Sequence, residues 1–355
     1  MNFIKTENNH KKKFEGFVNS QKETTCMQMW EWSDFRNKLF PGLYKRTGVV
    51  DTENNFHLTA TLFINQFRFI GKIIYIPQGP IWDSQEALAI FSEKIQVCSK
   101  SKCIAVICEP RIKKESIEEQ ELLNLGYKFT NKAVQPRTTV FLDLRGTEEE
   151  LMSRFSKSTR YNIKYAQRKG ISIRKYSKPD DVGRIKMFFD LLKQTQERKY
   201  FQVQTLKYFE DLWTEFSRNN HIFLVEAHYK DKHLGTIIVL HNGIWSASLF
   251  SASSLEHSEL KPIYLARWES ILEAKGRGCR FYDFFGATDS EDSKHPFYKT
   301  TQHKLGFGRE LTKFAGTYEL IIDSLRYKIW QKLVNLGIFK FYEENFLKEF
   351  RKRSK

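Results

Sequence analysis

The 355-residue sequence lacks most of the motifs that reveal a catalytic or metal-binding chemistry. Its five cysteines are an odd number spread along the chain, which argues against a disulfide framework and favours reduced thiols. Neither CxxC nor HExxH occurs and the nine histidines are scattered, so we expect no metal site. GxxxxGK(S/T) is also absent, which excludes a P-loop nucleotide site.

Long hydrophobic runs are missing as well. The longest strictly apolar run is Cys103–Cys108, far shorter than the ~20 residues that span a bilayer. The first residues, MNFIKTENNHKKK, have no apolar segment after their charges, so we expect no signal peptide. Together with reduced thiols, these absences predict a cytoplasmic protein.

Positive charge is present in excess. Lys and Arg number 58 against 42 Asp and Glu, a formal net charge of +16. Such an excess indicates a polyanionic partner, which could be a nucleic acid, a nucleotide diphosphate or an anionic membrane. Charge alone does not choose among the three.

One segment concentrates this charge. Residues 154–175 contain eight basic residues and no acid. Lys157, Arg160 and Lys164 recur at helical spacings of three and four, so they share one helix face, with Tyr161 and Tyr165 beside them. Phosphate contacts need a high density of positive charge, and this face is therefore the predicted RNA-binding site. A solvated helix face is the alternative interpretation.

Helix and strand signals follow a similar order twice along the chain. Strand-like runs, a helix over about 85–100 and the buried strand Cys103–Cys108 come first. A helix over 147–169, two further helices and a three-stranded meander over 221–250 follow. The pattern predicts an α/β fold with two units, each a mixed sheet flanked by helices.

Six short motifs stand in a fixed order: 75–80 (YIPQGP), 135–139 (QPRTT), 160–164 (RYNIK), 208–209 (YF), 282–286 (YDFFG) and 303–308 (HKLGFG). Their order and spacing resemble the Fem family of peptidoglycan bridge-forming aminoacyltransferases, over about residues 28–320. The resemblance implies two tandem GNAT-like domains, the first completed by the end of the chain. No long heptad insertion occurs, so we expect no coiled-coil arm.

The expected domain boundaries follow from this resemblance. A flexible N-terminal tail would occupy residues 1–24, and a first domain 25–145 plus about 312–335. The second domain would occupy 146–311, and a basic C-terminal tail 336–355. Residues 326–355 carry a net charge of +6 and two apolar stripes, which could lie on a membrane or pack on the first domain.

The resemblance also implies an activity and its partners. An amino acid would pass from aminoacyl-tRNA to an amine on the stem peptide of a peptidoglycan precursor, which is lipid-linked or UDP-linked. Ester aminolysis runs downhill, so no cofactor, ATP or covalent enzyme intermediate is expected. The protein would be a cytoplasmic monomer, with peripheral contact at the inner membrane face left open.

Site residues follow from positions that match the family's motifs. Lys304, just before the GFG step, is the expected catalytic cation, and His303 replaces an aromatic residue beside it. Arg36 and Tyr208 are expected to bind the precursor. Glu109 precedes a proline as a family carboxylate often does, but a structural carboxylate is the favoured interpretation.

Two positions depart from the family pattern. Gln204 stands where an arginine is expected, and Phe250 where a tyrosine is expected at the end of a strand. Arg198 is the nearest replacement cation. These losses favour a lipid-linked acceptor over the soluble nucleotide precursor.

Two other classes of protein stay open. The first is a GNAT-fold enzyme with an acyl-CoA donor, but residues 258–268 lack the closely spaced glycines of a pyrophosphate loop. The second is a non-catalytic protein that binds RNA or a membrane. Such a protein would tolerate loss of Lys304 but not loss of the basic helix.

Overall fold

The computed structural model describes residues 1–21, 24–97, 103–199 and 203–336, and only the backbone of 197–199. The chain divides into two compact units, Met1–Arg137 with the chain from Lys313, and Thr138–Thr312. Each unit contains one mixed sheet with helices packed against it. The expected α/β fold class is confirmed.

The first unit contains the following described strands and helices. The strands are β1 (Asn2–Lys5), β2 (Tyr44–Val50), β3 (Phe56–Phe67), β4 (Gly71–Ile76), β5 (Ile81–Trp82), β6 (Cys103–Cys108) and β7 (Lys128–Thr130), and β15 (Thr317–Ile321). The helices are α1 (Lys11–Ser20), α2 (Trp30–Leu39), α3 (Gln85–Val97), α4 (Ile117–Asn124) and α11 (Ser324–Asn335). The strand order is β1-β2-β3-β4-β6-β15-β7, with β5 paired to β3.

The N-terminal residues differ from the expected flexible tail. Strand β1 pairs with β2 in antiparallel register, and α1 buries Phe14, Phe17 and Val18 against Trp30. The spacing of those three residues places them on one helix face. The segment is mostly polar, with KKK before these residues and NS after them, so its composition does not reveal the apolar face.

The second unit contains the remaining described elements. The strands are β8 (Thr138–Asp143), β9 (Ser172–Tyr176), β10 (Ile222–Tyr229), β11 (Lys232–Asn242), β12 (Trp245–Ser253), β13 (Phe281–Asp283) and β14 (Leu311–Lys313). The helices are α5 (Glu148–Arg154), α6 (Lys157–Arg168), α7 (Gly183–Lys199), α8 (Leu206–Ser217), α9 (Pro262–Gly276) and α10 (Tyr298–Gly308). The strand order is β14-β8-β13-β12-β11-β10-β9.

Both sheets contain a strand–helix–strand connection between parallel strands. Helix α3 connects β4 to the parallel strand β6, and α9 connects β12 to the parallel strand β13. Helices α6 and α9 pack together, and the main core of the unit contains Ile163, Ile237 and Ile271. The two units therefore share a local arrangement that the repeated sequence pattern predicts.

Two predicted boundaries in this region are wrong. Strand β8 was expected in the first domain, but it pairs with β13 in the second sheet. The helix expected over 147–169 is two helices, because Phe155 is extended and the Ser156 side chain caps α6 by accepting from the Thr159 N–H. Serine favours this cap position, so the break has a local cause.

Two remaining predictions concern membrane-spanning helices and the C-terminal tail. No helix in the described ranges is long and apolar enough to cross a membrane. The longest of them is α7. The basic tail predicted over 336–355 lies, after its first residue, outside the described residues.

Candidate active site

Lys304 lies on α10 with its side chain buried, only 7% exposed. Its Nζ donates to the backbone carbonyls of Phe285 and Gly286, in the turn after β13. Both turn residues have a left-handed backbone, with φ of 49° and 52°. The turn therefore directs two carbonyl oxygens at one cation, which positions the Lys304 side chain far more tightly than an exposed lysine.

Asp283 holds this turn in place. Its Oδ1 accepts from the Phe285 N–H at 2.8 Å and from the Thr139 hydroxyl. The carboxylate therefore fixes a phenylalanine in a backbone conformation that L residues rarely adopt. These contacts support a structural role for Asp283 in capping the turn.

The Gly306-Phe307-Gly308 step packs α10 against its neighbours. A Cβ on Gly306 would collide with the Thr159 hydroxyl, and one on Gly308 would lie 2.6 Å from the Phe141 carbonyl oxygen. Phe307 fills the core between these close approaches, with its ring 5.0 Å from that of Phe155. Glycine is favoured at Gly306 by the close Thr159 side chain and at Gly308 by the close β8 backbone, and this packing sets the position of Lys304.

His303 lies beside Lys304 and faces the ring of Tyr264, with centroids 4.5 Å apart. Burial lowers the pKa of His303 to about 3, and the charges of Arg267 and Lys304 act in the same direction. The imidazole is therefore neutral at physiological pH and a weak base. This environment does not favour a role for His303 in proton transfer.

Tyr208 and Phe250 lie next to each other in an aromatic cluster. Their ring centroids are 6.3 Å apart, and Phe209 contacts both rings at 5.2 and 5.1 Å. Tyr208 is in the first turn of α8, where Thr205 caps the helix, and Phe250 is on β12. The structure thus brings together two of the predicted precursor-binding positions, both in the second unit.

Arg36 belongs to the first unit and is buried, only 6% exposed. Its Nε donates to the Tyr44 hydroxyl at 3.1 Å, and the guanidinium lies 5.1 Å from the Phe40 ring centroid. An arginine on aromatic faces is held in one orientation, which suits a bidentate contact but lowers its accessibility. Its predicted role in precursor binding stays a prediction.

Arg198, the expected replacement cation, and Gln204, which stands where an arginine is expected, lie before and after residues 200–202 in the chain. Arg198 is in the last turn of α7, and its side chain lies outside the described residues. Gln204 is half-buried just before Thr205. The suggestion that Arg198 compensates for Gln204 stays a prediction.

Helix α6 carries the predicted RNA-binding residues. Thr159, Ile163 and Ala166 are buried, while Lys157 and Lys164 are exposed on the opposite face. No acidic group among the described residues lies within salt-bridge distance of either lysine. The exposed Tyr161 ring stacks on Tyr165 at 5.9 Å.

Arg160 differs from the two lysines on this helix. Its Nη1 donates to the carbonyls of Ser153 at 3.1 Å and Phe155 at 2.6 Å. The guanidinium thus satisfies carbonyl groups at the break between α5 and α6. Arg160 has a structural function in addition to any contact with RNA.

Glu109 is buried in the first unit and fully hydrogen-bonded. It accepts from the Val134 N–H at 2.6 Å, the Thr317 hydroxyl at 2.9 Å, the Gln135 N–H and the Tyr75 hydroxyl. Burial raises the pKa of Glu109, and these donors oppose that shift. The contacts join β6, β15 and the loop before β8, which supports a structural role.

A cluster of metal-ligating side chains on the β10–β11 hairpin was not recognised in the sequence. Ligand atoms of Glu226, His228 and His233 lie within 4.8 Å of one another. His228 Nε2 is 2.8 Å from the Glu226 carboxylate, and Arg184 Nη2 is 3.4 Å from it. The arginine neutralises the buried carboxylate, so we interpret the cluster as a structural ion network.

The sequence also missed groups that contact Lys304 or act on its neighbour His303. The carbonyls of Phe285 and Gly286 are backbone acceptors, which no side-chain motif reveals. Arg267, buried on α9, hydrogen-bonds the Ser248 and Tyr282 hydroxyls. The only available signal was the DFFG sequence, where a glycine follows the strand and permits a left-handed turn.

Solved structures with a similar fold identify the fold class of the protein. FemX has a crystal structure that matches with a TM-score of 0.83 at 18% identity, over 93% of this chain and 99% of that chain. L-PGS from Bacillus licheniformis matches with a TM-score of 0.55 at 11% identity, over 93% and 96% of the two chains. The protein therefore has the two-unit α/β fold of these proteins.

Sequence comparison identifies the family. The FemAB family profile matches residues 10–235 and 230–334, and the chain belongs to this family. Lipid II:glycine glycyltransferase of Staphylococcus epidermidis is 20% identical over 90% of this chain and 93% of its own. The corresponding protein of Staphylococcus aureus is 19% identical with the same coverage. The resemblance to the Fem family is confirmed, and the protein is an aminoacyltransferase.

Proposed function

We propose that the protein transfers an amino acid from aminoacyl-tRNA to an amine on the stem peptide of a lipid-linked peptidoglycan precursor. The observation that carries this proposal is the buried Lys304, held by two turn carbonyls in a chain with the FemX fold. Relatives named as lipid II:glycine glycyltransferases support the acceptor. Interpeptide bridge formation is the corresponding step of cell-wall synthesis.

The reaction is the aminolysis of an ester. The acceptor amine attacks the aminoacyl carbonyl, an amide forms, and the tRNA ribose hydroxyl leaves with a proton. Because an amide is more stable than an ester, the enzyme needs only to position the reactants and stabilise the developing oxyanion. A fixed cation at Lys304 can provide that stabilisation, or can bind the terminal phosphate of the tRNA.

Among the residues that the structure describes, no side chain stands out as the acceptor for the proton of the attacking amine. His303 is a weak base, since burial lowers its pKa to about 3. Glu109 already accepts from backbone and hydroxyl donors in the first unit. We therefore propose that water or a substrate phosphate receives the proton, so that the protein supplies electrostatics rather than general-base catalysis.

The donor is proposed to bind along α6. Lys157 and Lys164 present unpaired positive charge on the exposed face, and Tyr161 adds an exposed ring. Phosphate contacts fix the position of an RNA without selecting its sequence. Selection of the attached amino acid would then depend on a pocket elsewhere in the protein.

The acceptor is proposed to contact the Tyr208 and Phe250 cluster and Arg198, all in the second unit. The role of Arg36, in the first unit, stays a separate prediction. Phe250 and Gln204 replace a hydroxyl and a cation, which lowers the capacity to bind a soluble nucleotide diphosphate. A lipid-linked acceptor requires an enzyme at the inner membrane face, and we propose a cytoplasmic monomer with peripheral membrane contact.

A transfer assay tests the proposal directly. Purified protein would be incubated with a set of charged tRNAs and with lipid-linked or UDP-linked muramyl pentapeptide. We expect transfer that requires both tRNA and precursor, with higher kcat/KM for the lipid-linked acceptor. Transfer from an acyl-CoA in the absence of tRNA would overturn the proposal, and equal kcat/KM with both acceptors would overturn the acceptor assignment.

A further inference from the structure

The first unit exposes large apolar side chains in one region. Phe69, in the turn between β3 and β4, is 89% exposed. On α11, Leu325 and Ile329 are 71% and 45% exposed, and Leu336, which follows its last residue, is 73% exposed. Exposed apolar residues that gather in one region, rather than scatter singly, indicate an interaction surface.

The turn and the helix are neighbours. Phe67 and Ile70, which flank Phe69 in the chain, form a small core cluster against which Trp330 of α11 packs. The rings of Phe67 and Trp330 are 6.5 Å apart. We call Phe69, Leu325, Ile329 and Leu336, with the basic residues between them, the turn–helix surface.

Leu325, Ile329 and the C-cap residue Leu336 share one face of α11. Their spacings of four and seven residues place them within a narrow stripe. Tyr327, on the opposite side, is buried, and Leu333 packs on the core cluster. Helix α11 therefore contacts the unit with one side and presents a second apolar stripe outward.

Positive charge predominates beside these apolar groups. Residues 65–72 and 324–336 contain five basic residues and no acid: Arg68, Lys72, Arg326, Lys328 and Lys332. Asp323, just before α11, is 3.5 Å from Arg326. Apolar groups among an excess of cations match the interface of an anionic bilayer, where acyl chains lie beneath phosphates. A nucleic acid would offer the phosphates but no apolar layer.

We propose that the turn–helix surface docks on an anionic lipid bilayer. Phe69, Leu325 and Ile329 would enter the headgroup region, while Lys328 and Lys332 would contact lipid phosphates. This inference deepens the membrane contact proposed above by assigning it to particular residues. It does not depend on which amino acid or precursor the enzyme uses.

Vesicle sedimentation tests the apolar part of the surface. Vesicles of phosphatidylcholine alone, and with about a third of phosphatidylglycerol, would be mixed with the full chain without RNA or precursor. We expect binding to the anionic vesicles, and a decrease of about tenfold in the partition coefficient for Phe69→Ser with Ile329→Ser. Ile117→Ser with Leu255→Ser is the matched control, since these residues are 79% and 65% exposed elsewhere.

Charge reversal tests the basic part. Lys328→Glu with Lys332→Glu should lower binding to anionic vesicles by at least about tenfold, and added salt should weaken wild-type binding. Lys113→Glu with Lys114→Glu makes the same change at exposed positions outside the surface. Each variant would first be compared with the wild type by circular dichroism and thermal melting.

Three results would overturn the proposal. The first is that the wild type does not bind anionic vesicles, and the second is that surface and control variants bind equally well. The third is that the protein self-associates and that the Phe69→Ser variant removes this association. The last result would assign the surface to a second copy of the chain. Because the vesicles contain no substrate, normal transfer activity with failed vesicle binding would count against this surface alone.

Discussion

Lys304, the proposed catalytic residue, illustrates how a backbone conformation can position a side chain. The left-handed residues Phe285 and Gly286 direct their carbonyls at its Nζ, and Asp283 fixes that turn. An exposed lysine would lose rotational freedom about several side-chain bonds when it binds a transition state. The buried one has already lost that freedom on folding, so its charge acts without further ordering.

The first prediction replaces this charge. Lys304→Met keeps much of the side-chain volume, and we expect transfer to fall by at least about tenfold, or roughly 1.4 kcal/mol of transition-state stabilisation. Single-turnover transfer with charged tRNA would measure the change. Lys299→Met, at an exposed position on the same helix, is the control. Unchanged transfer in Lys304→Met, with a normal melting temperature, would exclude a catalytic role.

The second prediction restores the two polar groups that this chain lacks. Gln204→Arg with Phe250→Tyr adds a cation and a hydroxyl at the positions where the family resemblance expects them. We expect kcat/KM for the UDP-linked precursor to rise by about tenfold, because each added contact with a polar ligand contributes roughly 0.5–1.5 kcal/mol. Activity with the lipid-linked acceptor should change less. No gain with the soluble precursor would show that these positions do not determine acceptor choice.

At the scale of elements, the GFG step makes α10 a packing element as well as the carrier of Lys304. A Cβ on Gly308 would lie 2.6 Å from the Phe141 carbonyl oxygen of β8. The third prediction is that Gly308→Ala lowers the free energy of unfolding by about 1–3 kcal/mol, since the backbone of β8 must move. Gly276→Ala on α9 is the control, because nothing lies within 4 Å of its added Cβ. Urea denaturation would compare the two.

Helix α6 requires a test that separates charge from structure. Arg160 satisfies the carbonyls at the end of α5, so its reversal would disturb the fold as well as any RNA contact. The fourth prediction therefore uses Lys157→Glu with Lys164→Glu. We expect weaker binding of uncharged tRNA, and a log-log salt slope about one unit flatter for each lost phosphate contact.

The control for this change lies on another helix of the same unit. Lys186→Glu with Lys193→Glu alters two exposed lysines of α7 by the same total charge. If both double variants weaken tRNA binding equally, net charge rather than the α6 face is responsible. If neither does, the RNA site lies elsewhere on the chain.

At the scale of the whole molecule, the sequence predicted the two-unit α/β fold and the family but not the details that create the site. Hydrophobic periodicity and six ordered motifs sufficed for the first result. The break at Phe155 and Ser156 escaped prediction because both halves have helical spacing. The carbonyl contacts of Lys304 escaped because they depend on tertiary packing, which a linear pattern does not record.

The last prediction joins the membrane surface to turnover. If the turn–helix surface keeps the enzyme on the bilayer, Phe69→Ser with Ile329→Ser should lower transfer to precursor embedded in anionic vesicles by about tenfold. The same variant should act on detergent-solubilised precursor at the wild-type rate, because its catalytic groups are unchanged. Paired rate measurements in the two systems would separate docking from chemistry. Equal losses in vesicles and in detergent would instead indicate damage to the fold, and equal rates with wild type in both would show that turnover does not need this surface.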